Sequence, residues 1–166
     1  MNKQELLAKC DYFNLVHGVT LRAIDAFTDR ELDFRPQAGM RNPRELVFHI
    51  YSQEQTLAEV SERGEFTIEM ANRSNPEDPS TTATLGTLRT VKDLHAYADA
   101  CHTAAERIFR KMSEDDVIRQ IPSPFGNQPA WQFLMFGYDE HWHHRGQLYV
   151  YLRLLGKEPP MLYDYQ

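Results

Sequence analysis

The sequence predicts an all-α protein, a single four-helix bundle over residues 1–166, on three observations. Four stretches carry apolar residues at steps of three and four, and none alternates with the two-residue period of a strand. The breaks between those stretches hold turn residues or helix-starting signals. A chain of 166 residues suits one domain with a substantial core.

In the first stretch Leu6, Cys10, Phe13, His17, Leu21, Ile24 and Phe27 form one inward stripe, ended by the turn residues of Asp33–Gly39. The second helix opens with Asn42 as cap, Pro43 at its first position and Glu45 three residues after the cap. Leu46, Ile50, Leu57 and Val60 supply its apolar face, and Gly64 ends it. Residues 64–89 are polar and rich in Ser, Thr, Asn, Pro and Gly, which predicts an irregular connection, either a lid or binding segment or a disordered one. Thr90 with Asp93 opens a third helix whose stripe is Val91, Leu94, Ala98, Cys101, Ala105, Ile108 and Met112. Its charged residues read as a solvated face. After the turn Pro122–Gly126, the fourth helix runs from about Ala130 to Leu155, where Gly156 and Pro159-Pro160 stop it.

Hydrophobic residues make up 42% and charged residues 25%, the composition of a soluble globular protein. The formal net charge of −6 argues against nucleic-acid binding, which rests on neutralising phosphates. No apolar run reaches membrane-spanning length, and MNKQELLAKCDYF lacks the apolar core of a signal peptide. Cys10 and Cys101 then read as reduced, buried thiols of a cytoplasmic protein. There is no Ser-His-Asp order, nucleophile elbow or phosphate-binding loop.

The densest chemistry lies in Tyr138–Gln147 of the last helix. Successive helical residues turn by about 100°, so Leu134, Tyr138, His141, Leu148, Leu152 and Leu155 share the core-facing side and His143 points to solvent. Glu140 and His144, four apart, stand one turn apart on a flank of that stripe and can converge on one ion. His141 with His144 is a second possible pair. A further ligand must come from another helix, and His49, beside Leu46, Ile50 and Gln53, is the best candidate. Taken alone, His49 or His17 reads more readily as a hydrogen-bonded core histidine than as a ligand or pocket residue. Burying so many ionisable groups is unfavourable by several kcal/mol each unless they are paired or bound to metal.

Three stretches carry a family resemblance: Asp33-Phe-Arg-Pro with Gly39 through His49, the run His144-Arg-Gly-Gln-Leu148, and Tyr149 through Gly156 with Pro159-Pro160. In this order they resemble the DinB/YfiT-like superfamily of helical-bundle metal proteins, over essentially the whole chain. The resemblance implies one divalent ion, zinc or nickel, on His49, Glu140 and His144. Many members carry His where this chain has Glu140, although mycothiol-dependent maleylpyruvate isomerases use Glu; a carboxylate there reduces the Lewis acidity of the ion. His141 stays open as the alternative to Glu140, because it points closer to the core.

The implied activity is that of a metal-dependent, thiol-dependent transferase acting on a small molecule, with a low-molecular-weight thiol as co-substrate. A metal-dependent hydrolase and a non-enzymatic, stress-related bundle with a structural metal are the alternatives. His141 and His17 are the candidates for a general base, Arg145 for a structural ion pair, and Trp142, Tyr149 and Tyr138 for packing. A cytoplasmic homodimer completes the expectation.

Overall fold

A computed structural model describes residues 1–124 and 126–165. Four long helices carry the architecture: α1 (Lys3–Asp25) and α2 (Pro43–Arg63) precede two short ones, α3 (Ile68–Asn72) and α4 (Thr82–Leu85). Then come α5 (Val91–Lys111), the short α6 (Glu114–Ile118), and α7 (Ala130–Leu154). The predicted caps form. Asn42 Oδ1 accepts from the Glu45 amide, and the Glu45 carboxylate accepts from the Asn42 amide. Gly64 closes α2 in the left-handed region, at φ 78°, where its lack of a Cβ is required. Asn42→Ala orphans these groups at the buried start of α2 and is expected to lower stability by about 1 kcal/mol, checked by the urea midpoint.

Two expectations need correction. Residues 64–89 are not wholly irregular: α3, a 3₁₀ turn at Pro79–Thr81, and α4 form within them. Thr67 caps α3 by accepting from the Met70 amide, and Asp78 caps the turn by accepting from the Ser80 amide. Met70, Ser74, Thr81 and Leu88 are buried and pin the segment down. Around the predicted turn at 122–126 the chain also forms a two-residue antiparallel pair, β1 (Gln120–Ile121) with β2 (Gln128–Pro129), too short to leave a strand period. Phe125 of that turn lies outside the described residues.

The core divides into two apolar clusters. One holds Leu6, Cys10 and Phe13 of α1, Leu57 and Val60 of α2, Ala105 and Phe109 of α5, and Phe133 and Leu134 of α7. The other holds Ile24, then Leu46 and Ile50, then Leu94 and Ala98, then Leu148 and Leu152 from the same helices. Each helix crosses from one cluster to the other. From that order, α1 and α7 run one way and α2 and α5 the other. α2 packs against both α5 and α7, and α1 closes the bundle against the same two. Because α2 and α5 are parallel, their connection must return along the bundle, and 21 residues of helix rise about 32 Å. That return is the task of residues 64–89, and it explains their number.

Candidate metal centre

α2 and α7 bring the three predicted ligands together. Leu46 and Ile50 fix one face of α2 in the core, so His49 projects along its edge toward α7. On α7, Leu148 and Leu152 do the same, leaving Glu140 and His144 one turn apart on the facing flank. Glu140 Oε2 lies 3.0 Å from His144 Nε2 and 3.4 Å from His49 Nε2. The two imidazole rings stand edge to face, with centroids 4.8 Å apart. One donor atom from each of the three residues falls within 4.8 Å of the others, the only such group among the described residues.

Hydrogen bonds on the far side of each ring decide what the centre presents. His49 Nδ1 is 2.5 Å from the carbonyl oxygen of Ser74, and His144 Nδ1 is 2.9 Å from Gln147 Oε1. Both partners are acceptors, so both Nδ1 atoms carry hydrogen. In the neutral rings the Nε2 lone pairs then point at an oxygen of Glu140. Where the Nε2 atoms carry protons instead, they donate to Glu140, and this hydrogen bonding from His144, then from His49, holds its carboxyl well below the usual range despite burial. Three electron-pair donors aimed at one spot are mutually repulsive unless a cation or extra protons lie between them. Two nitrogens and one oxygen, each neutral ring oriented by an outer acceptor, are a donor set for a divalent transition metal. The Glu140 side chain remains one-third exposed, so the centre is open on one side.

Ser74 belongs to the return segment between α3 and α4. It is buried, its hydroxyl bonds to Gln53 on α2, and its carbonyl holds His49. Sequence reasoning had no access to this outer partner, because a backbone carbonyl carries no residue signature.

The other candidates sit elsewhere. His141 is fully buried on the core side of α7, where Nε2 meets Glu54 Oε2 at 2.9 Å and Nδ1 meets Thr20 Oγ1 at 3.3 Å. His17 lies in the core between Tyr51 and Asp99, and His143 faces solvent. The structure brings neither His141 nor His17 to the Glu140 cluster. Arg145 makes no ion pair among the described residues. Its Nη1 donates to the Val16 carbonyl at 3.0 Å and its guanidinium lies 4.4 Å over Trp142. Asp99 and Glu106 of α5 are not idle surface charges, since they accept from His17 and Asn14. Sequence reasoning overlooked Glu54 and His102 altogether. The available signal was register: Glu54 falls between Ile50 and Leu57, and His102 between Ala98 and Ala105, both in step with a core stripe.

A sequence profile of the DinB family matches residues 1–166. The chain belongs to the DinB family. No curated protein matches it. Among solved structures, this DinB-family chain is similar to a DinB-like protein from Bacillus subtilis, at 20% identity over 93% of this chain and 97% of that one, with a TM-score of 0.71. A DinB-like protein from Bacillus cereus gives 20% identity, 92% and 94% coverage, and the same TM-score. A mycothiol-dependent maleylpyruvate isomerase aligns at 16% identity over 89% of this chain and 63% of its own, with a TM-score of 0.66. At these identities the likeness bears on the fold, and the all-α DinB bundle is the fold found.

Two clefts of about 990 and 760 Å³ flank the bundle, one between α7 and residues 156–162, the other between α2, α5 and the return segment. Neither is lined by His49, Glu140 or His144. Cys10 and Cys101 are free and buried, and burial pushes both thiols up to about 11, so neither is a nucleophile at neutral pH. No helix is long and apolar enough to cross a membrane among the described residues.

Proposed function

We propose that this DinB-family protein holds one divalent ion on His49, Glu140 and His144 and uses it in a thiol-dependent transfer reaction on a small molecule. The observation that carries the reading is the convergence of two Nδ1-protonated imidazoles and one carboxylate on a single point open to solvent. Zinc or nickel suits this mixed nitrogen and oxygen set. Bound there, such an ion supplies a Lewis acid that lowers the pKa of a thiol or of water. The chain's own part is to fix both rings through Ser74 and Gln147, to keep Glu140 ionised, and to leave one side open. Thiol chemistry is favoured over hydrolysis by the likeness to an isomerase described as mycothiol-dependent. A cytoplasmic homodimer belongs to the same reading, and sedimentation at micromolar concentration tests the dimer.

A second reading, a metal that only stabilises the bundle, draws on the way the cluster ties α2, α7 and the return segment together. One experiment separates the two. Under the first reading, chelation shifts the melting temperature little, and small thiols bind only to the metal-loaded protein. Under the second, chelation unfolds the protein and no thiol binds.

Ser74 gives a finer test. Ser74→Ala frees the return segment from Gln53 and loosens the carbonyl that orients His49. Outer partners of this kind are worth about 10–100-fold in metal affinity. A loss of at least about tenfold in zinc affinity, by calorimetry, is expected with the fold intact; unchanged affinity would remove Ser74 from the centre.

A further inference from the structure

Between the two apolar clusters four buried ionisable side chains meet, one from each long helix: His17 from α1, Glu54 from α2, His102 from α5 and His141 from α7. All four are at least nine-tenths buried. This layer lies on the core side of α7, apart from the Glu140 cluster.

The hydrogen bonds count the protons. His102 Nδ1 is 2.6 Å from Glu54 Oε1, and His102 Nε2 is 2.6 Å from Asn14 Oδ1. The orientation of Asn14 is fixed by its other end, where Nδ2 donates to Glu106 Oε1 at 2.7 Å. Both nitrogens of His102 therefore face oxygen acceptors, which calls for a hydrogen on each. The second oxygen of Glu54 accepts from His141 Nε2 at 2.9 Å, which favours a carboxylate over a carboxylic acid. His17 needs only one hydrogen. Its Nε2 donates to Asp99 at 3.0 Å, while its Nδ1, 2.9 Å from the Tyr51 hydroxyl, can accept. The His17 and His102 rings are stacked, 14° from parallel with centroids 3.9 Å apart, so two positive charges there repel each other in a buried setting.

We propose that His102 is an imidazolium ion-paired with Glu54 inside the bundle, that the stacked His17 is neutral, and that uptake of a second proton by His17 unlocks the core in acid. The groups facing this pair are Tyr51 and Glu54 from α2, His141 and Arg145 from α7, and Asn14 from its own helix α1. On α5 they are Asp99, Glu106 and His95, the last 3.2 Å from Asp99. Glu54, Asp99 and Glu106 favour a proton on His102, and the hydrogen bond to Glu54 raises its affinity above the ordinary value although burial opposes the charge. Burial first, then the charge on His102, lowers His17 to about 4.

The signs follow from linkage. His17 binds its proton more weakly folded than unfolded, so stability is lost as pH falls from about 6.5 toward 4. His102 binds more tightly folded, so its contribution is complete below about 6.5 and declines only as pH rises. The two histidines therefore do not cancel on the acid side.

Two measurements on the full chain test this. Imidazole ¹⁵N shifts of the wild type at pH 7 are expected to show both His102 nitrogens protonated; an unprotonated Nδ1 would place the proton on Glu54 and overturn the ion pair. Between pH 7 and 4 the folding equilibrium constant of the wild type is expected to fall about 100-fold further than that of His17→Gln. Groups away from this layer respond to acid alike in both proteins, so the difference isolates His17. Equal pH dependence would overturn the lock, and if His17→Gln does not fold, the ¹⁵N signature of a protonated His17 in the folded wild type at about pH 6, near the ordinary histidine value, would do so.

Discussion

Alanine in place of Glu140, or of His144, is expected to abolish stoichiometric binding of zinc or nickel, whereas His141→Ala leaves one ion per folded chain. Outer partners of metal ligands are worth about 10–100-fold in affinity, so removal of one of three ligands should exceed about 100-fold. The two outcomes separate because α7 presents the residues on different sides. Glu140 faces His49 and His144, while His141 is turned into the core against Glu54. Metal analysis of tag-free protein, per folded molecule, reads the result. Retention of metal by Glu140→Ala with its loss in His141→Ala would transfer the third ligand to His141.

The largest effect on stability is expected at Glu54, which touches no proposed ligand. Its carboxylate accepts from two buried histidines. Burial alone would raise its pKa, but hydrogen bonding to His102 and His141 outweighs that and holds the group down at about 2. Glu54→Ala leaves a positive ring and a buried donor without their acceptor. Removing one partner of a buried ion pair destabilises by about 3–5 kcal/mol, enough to unfold a marginal domain. Glu54→Gln keeps an acceptor for one ring and should be milder. The sign with pH is also fixed. A depressed carboxylate stabilises the fold above its unfolded value of about 4.3, and that contribution disappears as pH falls toward 2. Urea midpoints at pH 7 and at pH 3 check both; a Glu54→Ala protein as stable as the wild type at pH 7 would show the layer to be dispensable.

Much of the fold was legible because the helix signals are local. Asn42, Pro43 and Glu45 announce α2 within four residues, and Gly156 with Pro159-Pro160 closes α7. The Glu140 and His144 pair was legible for the same reason, being one turn of one helix. What stayed hidden is non-local. Glu54 and His102 lie 48 positions apart and acquire meaning only when α2 and α5 pack. Read singly, each is a polar residue on an apolar stripe. Ser74 holds His49 through its backbone, which any residue could supply. The choice between Glu140 and His141 was a matter of angle on one helix, and only with α2 in place is it visible that Glu140 lies on the flank His49 faces while His141 meets Glu54.

The parallel pairing of α2 and α5 has a consequence for altering the chain. An antiparallel pair can be joined by a few residues, so the link between α5 and α7 tolerates shortening in principle. The connection between α2 and α5 has no such freedom, since it must span the length of a helix before α5 can begin. Deleting residues 68–85 would therefore not yield a smaller copy of this bundle. It would favour a different order of helices, in which α5 descends where it now ascends and His49 loses both Ser74 and its place beside α7. Loop length is here part of the site's architecture, and an insertion or deletion in that strap is a change to the proposed metal centre made from a distance.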